Sequence, residues 1–223
     1  MYSSEFRDEV YKQQNDLPPR RTLEHKESAI NRLDKYLPGN LKWKKILDYW
    51  CGDGHIWEHL LQKWADVDFA EISSNMVNLL KKTYKNNISK ILKNQDHGWN
   101  VNIFLVETPD CLPVENENYD YIITWALFHH INPNKWKEFL DKFGKLLKKG
   151  GEIIIYWRDA TDIVLEQDES KWHVTWQPSY AINNLPDFLD SEIFEIKETW
   201  LQEERLSIFD IPRVLRYFIV RRV

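Results

Sequence analysis

At 223 residues the chain can bury one sizeable core, and 43% hydrophobic against 29% charged residues is a soluble globular balance that excludes long disorder. A net charge of −5 argues against a nucleic-acid partner, whose binder is usually basic, although a local basic patch stays open. No apolar run approaches the ~18 residues of a membrane span; Met1–Val10 is charged where a secretory leader is apolar; and Cys51 and Cys111 show neither metal spacing nor a disulfide framework, so we expect a cytoplasmic chain with no membrane partner, no metal and reduced thiols.

The N-terminal residues 1–35 read as a helical extension before the first strand. KKILDY, Lys44–Tyr49, is a short strand, and His55–Trp64 carries Ile56, Trp57, Leu60, Leu61 and Trp64 at helical spacing. Val67–Ala70 is a second strand. Ser73 or Ser74 caps the next helix, which bears Met76, Val77, Leu79 and Leu80, and Ile88–Asn94 reads as a further short helix. Val101–Val106 and Tyr119–Trp125 are strands. Lys135–Leu147 is an amphipathic helix that Gly150-Gly151 should end. Ile153–Trp157 is a fifth strand, and Phe194–Trp200 and Val214–Val220 are two more, open to pairing with each other. Residues 161–186 are the least regular stretch and read as a lid or substrate loop. Alternating strands and helices give a largely parallel sheet covered on both faces within a single domain, with ligands expected beyond the carboxyl ends of its strands.

Chemistry concentrates after the first strand. ILDYWCGDGHIWEHL, Ile46–Leu60, runs strand, acid, tight turn, helix, with Asp48, Tyr49, Trp50, Gly52 and Gly54 in or beside the turn. Glycines let backbone approach a ligand, and a helix N-terminus favours an anionic group. The segment lacks the dinucleotide G-x-G-x-x-G pattern. It resembles the first motif of class I S-adenosylmethionine-dependent methyltransferases (the type 11, UbiE-like branch), with Asp48, Cys51, Gly52 and Gly54 matching and Trp50 replacing the first glycine. VDFAEISSNMVNLLKK, Val67–Lys82, is similar to the second motif; there the resemblance gives Glu71 the ribose hydroxyls and places Ile72 and Met76 near the adenine. A carboxylate suits that role because it accepts two hydrogen bonds at once. VETPDCLPVENENYDYIITWALFHHI, Val106–Ile131, matches the next run through Leu112-Pro113 and Tyr119-Asp120, with Asp120 shaping the sheet. Here Thr108 stands where the family has an adenine-binding Asp, Pro109 lacks the usual N–H, and Asp110 is the available substitute. KLLKKGGEIII, Lys145–Ile155, resembles the closing helix, turn and fifth strand. The likeness covers Leu41–Trp157, about half the chain. It implies a Rossmann-like, doubly wound, mostly parallel seven-stranded α/β sheet with helices on both faces, S-adenosylmethionine as cofactor and S-adenosylhomocysteine as product.

Methyl transfer is an in-line displacement in which the protein mainly aligns a nucleophile, so no catalytic side chain is obligatory. His129 and His130, after the fourth strand, are the candidate bases for a protonated nucleophile. The resemblance brings the Trp125 backbone to the cofactor's amino group. For substrate we single out Trp157 and Arg158 where the chain leaves the fifth strand, Trp172, Trp176 and Tyr180 in the irregular stretch, and Tyr11 as closing the site from the N-terminus; 11 tryptophans are far above an average share, and an aromatic lining suits a flat or cationic molecule. The expected activity is methylation of a small-molecule N or O nucleophile. Trp50, Thr108 and Pro109 also suit two rivals: an enzyme of this fold catalysing a non-methylating step such as a cyclisation, or a cofactor-free binding subunit. Oligomeric state is not legible.

Overall fold

A computed structural model describes residues 23–52, 54, 56–92, 100–125, 127–128, 131–161, 182–205 and 212–223. The chain divides into two compact units, Tyr2–Pro113 and Val114–Val223. In the first, α1 (Leu23–Tyr36) precedes β1 (Lys45–Tyr49), α2 (Trp57–Gln62), β2 (Asp66–Glu71), α3 (Ser74–Leu92) and β3 (Val101–Leu105). Its strands lie in the order β3-β2-β1, all parallel. Near-continuous apolar stretches explain this arrangement: Ile46, Leu47, Val67, Phe69 and Ala70 are all buried, as strands covered on both faces must be. Asp68, also buried, accepts from Asn102 Nδ2 at 2.7 Å and pairs with Lys45 at 3.3 Å, so its charge is compensated across the three strands. Asp34 of α1 meets His59 and Lys63 at 2.7 Å.

Ser73 is the cap of α3: its hydroxyl accepts from the Met76 amide at 3.2 Å and its carbonyl from the Val77 amide at 3.0 Å. The helix then runs unbroken to Leu92, so the separate helix expected over Ile88–Asn94 is instead the tail of α3. No Gly or Pro interrupts 74–92, and nothing there stops propagation.

The second unit holds β4 (Tyr119–Trp125), α4 (Trp136–Leu146), β5 (Leu147–Arg158), β6 (Phe194–Arg205) and β7 (Pro212–Arg222), in the order β4-β5-β7-β6. β4 and β5 are parallel; β5–β7 and β7–β6 are antiparallel, so the last two expected strands do pair. One face of α4 buries Trp136, Phe139, Leu140, Phe143 and Leu146. The Trp136 indole donates to the Phe128 and Ile131 carbonyls at 3.0 and 2.8 Å, which removes the cost of burying its N–H. Gly150-Gly151 does not end this helix. Leu147 is already extended, at φ −73° and ψ 142°, and the glycines lie inside β5. Tyr119 pairs with Leu147 but Tyr121 with Glu152, so residues between them bulge out, and Gly150 takes φ 78° to make the bend. Among the described residues no helix is long and apolar enough to cross a membrane.

Candidate functional site

In the first unit, the residues that end β1 and β2 meet. Tyr49 closes β1 beside Ala70, and Glu71 closes β2 one residue further on. The chain leaves β1 through a turn in which Trp50, Gly52 and Gly54 have φ of 68°, 58° and 65°. Trp50 therefore keeps the left-handed backbone conformation that glycine adopts easily and a bulky residue adopts at a cost. That conformation is held from outside the turn: the Trp50 and Cys51 amides both donate to the Ala70 carbonyl of β2, at 2.7 and 3.2 Å. Gly54 has a second reason to be glycine, since a Cβ there would come 2.5 Å from Leu80 Cδ1 of α3.

The Glu71 carboxylate is the hub of this region. It is 1% exposed, and three backbone amides donate to it. Oε2 accepts from Gly52 N at 2.8 Å; Oε1 accepts from Ile72 N at 2.8 Å and Ser73 N at 3.0 Å. One carboxylate thus ties the glycine turn to the start of α3. Asp48, Ile72 and Met76 are buried in the same unit. Beyond β3 the chain makes a 3-10 turn, Pro109–Cys111, closed by the Cys111 amide on the Thr108 carbonyl at 3.0 Å. Thr108 is extended and half-buried, Pro109 buried, and Asp110 exposed. The Thr108 hydroxyl lies 3.4 Å from the Cys111 sulfur. Burial pushes the Tyr49 phenol far above its ordinary range, and Cys111, Glu71 and Asp110 push it further, so it stays protonated and a hydrogen-bond donor.

The structure therefore brings together Asp48, Tyr49, Trp50, Gly52, Gly54, Glu71, Ile72, Met76, Thr108, Pro109 and Asp110 in one unit. In the other unit Trp125 ends β4, half-buried, with its ring edge-on to Tyr156 at 4.7 Å, and Trp157 and Arg158 end β5. His129, His130, Tyr11, Trp172, Trp176 and Tyr180 lie outside the described residues. Two contributors escape a reading of the sequence. Ala70 acts through its carbonyl, which no side-chain pattern reveals. Tyr156 is legible as an aromatic three residues after Ile153 on a strand, but only register joins it to Trp125.

As a donor and acceptor set this region fits the adenosine part of S-adenosylmethionine. A buried carboxylate ends β2, apolar Ile72 and Met76 follow it, and the exposed Asp110 carboxylate can accept from an exocyclic amine. The departure is Pro109, which offers no N–H to a ring nitrogen.

A family model described as a methyltransferase domain matches residues 20–190. A protein of Anoxybacillus flavithermus (strain DSM 21510 / WK1), described as an uncharacterized methyltransferase, is 26% identical over 111 residues; the match spans 49% of this chain and 44% of that protein. Among solved structures, the PH0226 protein from Pyrococcus horikoshii OT3 superposes with a TM-score of 0.69 at 16% identity, over 95% of this chain and 99% of that one. A S-adenosylmethionine-dependent methyltransferase from Methanosarcina mazei gives 0.63 at 18% identity, over 86% and 96%. These likenesses show the fold, the seven-stranded and mostly parallel Rossmann-like sheet expected, with antiparallel pairing confined to β5–β7 and β7–β6. With the family match they lead to one assignment: the chain belongs to the methyltransferase-domain family.

Proposed function

We propose that this chain is a class I S-adenosylmethionine-dependent methyltransferase that binds S-adenosylmethionine at the Glu71 hub and methylates a small-molecule nitrogen or oxygen nucleophile. The observation that supports the cofactor side is the 2.8 Å bond from the Gly52 amide to Glu71, which ties the glycine turn to the buried acid that ends β2. In this reading Glu71 takes the ribose hydroxyls, Ile72 and Met76 cover one face of the adenine, Asp110 accepts from its amine, and the turn from Trp50 to Gly54 lies along the methionine end. When bound, the cofactor supplies a methyl carbon on a sulfonium, so the bond to the nucleophile forms as the carbon–sulfur bond breaks and a neutral thioether leaves. The chain's own contribution is alignment, together with removal of a proton where the nucleophile carries one; His129 and His130 are the candidates for that proton. The net charge of −5 supports a small acceptor over a polyanion.

Calorimetric titration of S-adenosylmethionine and S-adenosylhomocysteine, with Glu71→Gln beside the wild type, tests the reading. Both ligands should bind the wild type with micromolar dissociation constants. Glu71→Gln should weaken them roughly tenfold or more, the worth of a hydrogen bond to a charged group. A melting curve on each protein separates weakened binding from unfolding. Absence of binding to folded wild-type protein refutes the proposal and favours a binding subunit that has lost the cofactor.

A further inference from the structure

α3 carries four lysines and no acid, in a chain of net charge −5. Lys81, Lys82 and Lys85 are exposed, and among the described residues none of them meets a carboxylate. They also stand i,i+3 and i,i+4 to one another, spacings at which like charges repel. The helix dipole does not account for them, because its pull fades within the last turn and these three lie nearer the middle. Leu79, 40% exposed, precedes Lys82 on the same face, about 5–6 Å away between Cβ atoms. β6 carries the opposite arrangement. It is the last strand of the sheet among the described residues, and its register with β7 is unbroken from Glu198 to Arg205. Side chains alternate along it, so Thr199, Leu201 and Glu203 share one face, and all three are exposed. Leu201 is 52% exposed, and Glu203 follows it about 6–7 Å along the strand. Neither Glu203 nor the exposed Glu198 meets a cation among the described residues. The bulge at Lys197 interrupts the ladder, which discourages a further strand from adding along this edge.

We infer that α3 of one copy docks on β6 of a second copy of this chain, Leu79 against Leu201 and Lys82 against Glu203. Charge complementarity selects the second copy as occupant: each patch is a leucine beside unpaired charge, and the two charges are of opposite sign. The leucine-to-charge spacing of the two patches agrees within about 2 Å. Covering the two leucines supplies attraction, while the charged pair sets register and rejects wrong partners. Lys81, Lys85 and Glu198 widen the two fields and speed encounter. The patches differ, so the contact is heterologous: every copy offers an α3 and receives one on its β6. The contact does not depend on the cofactor reading above.

Sedimentation velocity on the full chain tests this. At about 0.01 M salt, where charges act over about 30 Å, the weight-average mass should rise above the monomer as protein concentration rises. At about 1 M salt, where that reach is about 3 Å, it should fall back toward the monomer. Lys82→Glu and Glu203→Lys should each weaken self-association about tenfold or more, because each sets like charges opposite one another. Mixing the two variants in equal amounts should restore association, since each then meets the opposite charge on the other. Both side chains are exposed, so melting curves should match the wild type and show that the variants fold. A wild type that stays monomeric at low salt, variants that associate as the wild type does, or a mixture that does not recover would each overturn the inference. In the monomeric case, poly-L-glutamate and a single-stranded oligonucleotide are titrated into the wild type and Lys82→Glu. Binding of the first alone, lost in the variant, assigns the lysine face to another acidic protein; binding of the second assigns it to a nucleic acid.

Discussion

Trp50 has φ 68° and is 6% exposed, so one residue combines a strained backbone with a buried indole. The two properties oppose each other energetically. A left-handed conformation costs a non-glycine residue about 1–2 kcal/mol, whereas removing a buried tryptophan side chain costs about 3–5 kcal/mol. Packing wins by magnitude. Trp50→Gly should therefore destabilise the protein by about 1–4 kcal/mol in urea unfolding, although it introduces the glycine that the motif resemblance expects there. A stabilised variant would show instead that the ring contributes little packing. The conformation survives in the wild type because the Ala70 carbonyl receives two amides from the turn, a restraint supplied by the neighbouring strand.

At the scale of elements, the passage from α4 into β5 shows two adjacent glycines required for different reasons. Gly150 has φ 78°, and nothing lies within 4 Å of the point where a Cβ would stand, so only its backbone angle demands glycine. At Gly151 a Cβ would lie 2.9 Å from the Lys148 carbonyl and 3.1 Å from that of Asp120, both backbone atoms that cannot swing aside. Gly150→Ala should cost about 1 kcal/mol, the left-handed penalty alone. Gly151→Ala should cost more, about 1–3 kcal/mol, and should disturb the β4–β5 pairing. Urea unfolding of both variants, with amide exchange on β4, checks the order; equal costs would mean that the bulge relaxes around Gly151.

At the scale of the whole molecule, Asp159 gathers distant parts of the chain. Its buried carboxylate accepts from the Thr161 amide at 2.9 Å, the Thr161 hydroxyl at 2.7 Å, Asn183 Nδ2 at 3.0 Å and the Arg216 guanidinium of β7. Asn183 also accepts from the Ala160 amide at 2.7 Å. Burial raises the Asp159 carboxyl, but Thr161 and Arg216 outweigh it and hold the group below its ordinary value of 3.8. A lowered folded value means stabilisation that is complete above the ordinary value and is lost as pH falls through the folded one. Asp159→Asn should destabilise by about 3–5 kcal/mol at neutral pH, because it leaves Arg216 without its charge partner. The gap between wild type and variant should close only below pH 3.8. Thermal melts across that range check it; a gap that closes near neutrality would assign the effect to another group.

The strand and helix order, the glycine turn and the acid ending β2 are legible in the amino-acid sequence by itself. Each depends on local periodicity, on turn chemistry or on one residue's place at a strand end, as Gly54 and Glu71 illustrate. The site is readable to the same depth: Glu71 stands out as an acid after a strand, but that both its oxygens are bound by backbone amides does not. The unbroken α3 and the bulged start of β5 escape because a helix boundary is decided by whether tertiary packing continues, and Gly-Gly signals a bend without saying in which element. Tertiary structure alone decides that Trp50 can stand in a glycine's conformation and that Trp125, Tyr156, Tyr217 and Trp200 share a row. Those outcomes rest on pairing between residues far apart in the chain, and a one-residue slip in register would send each ring to the opposite face of the sheet.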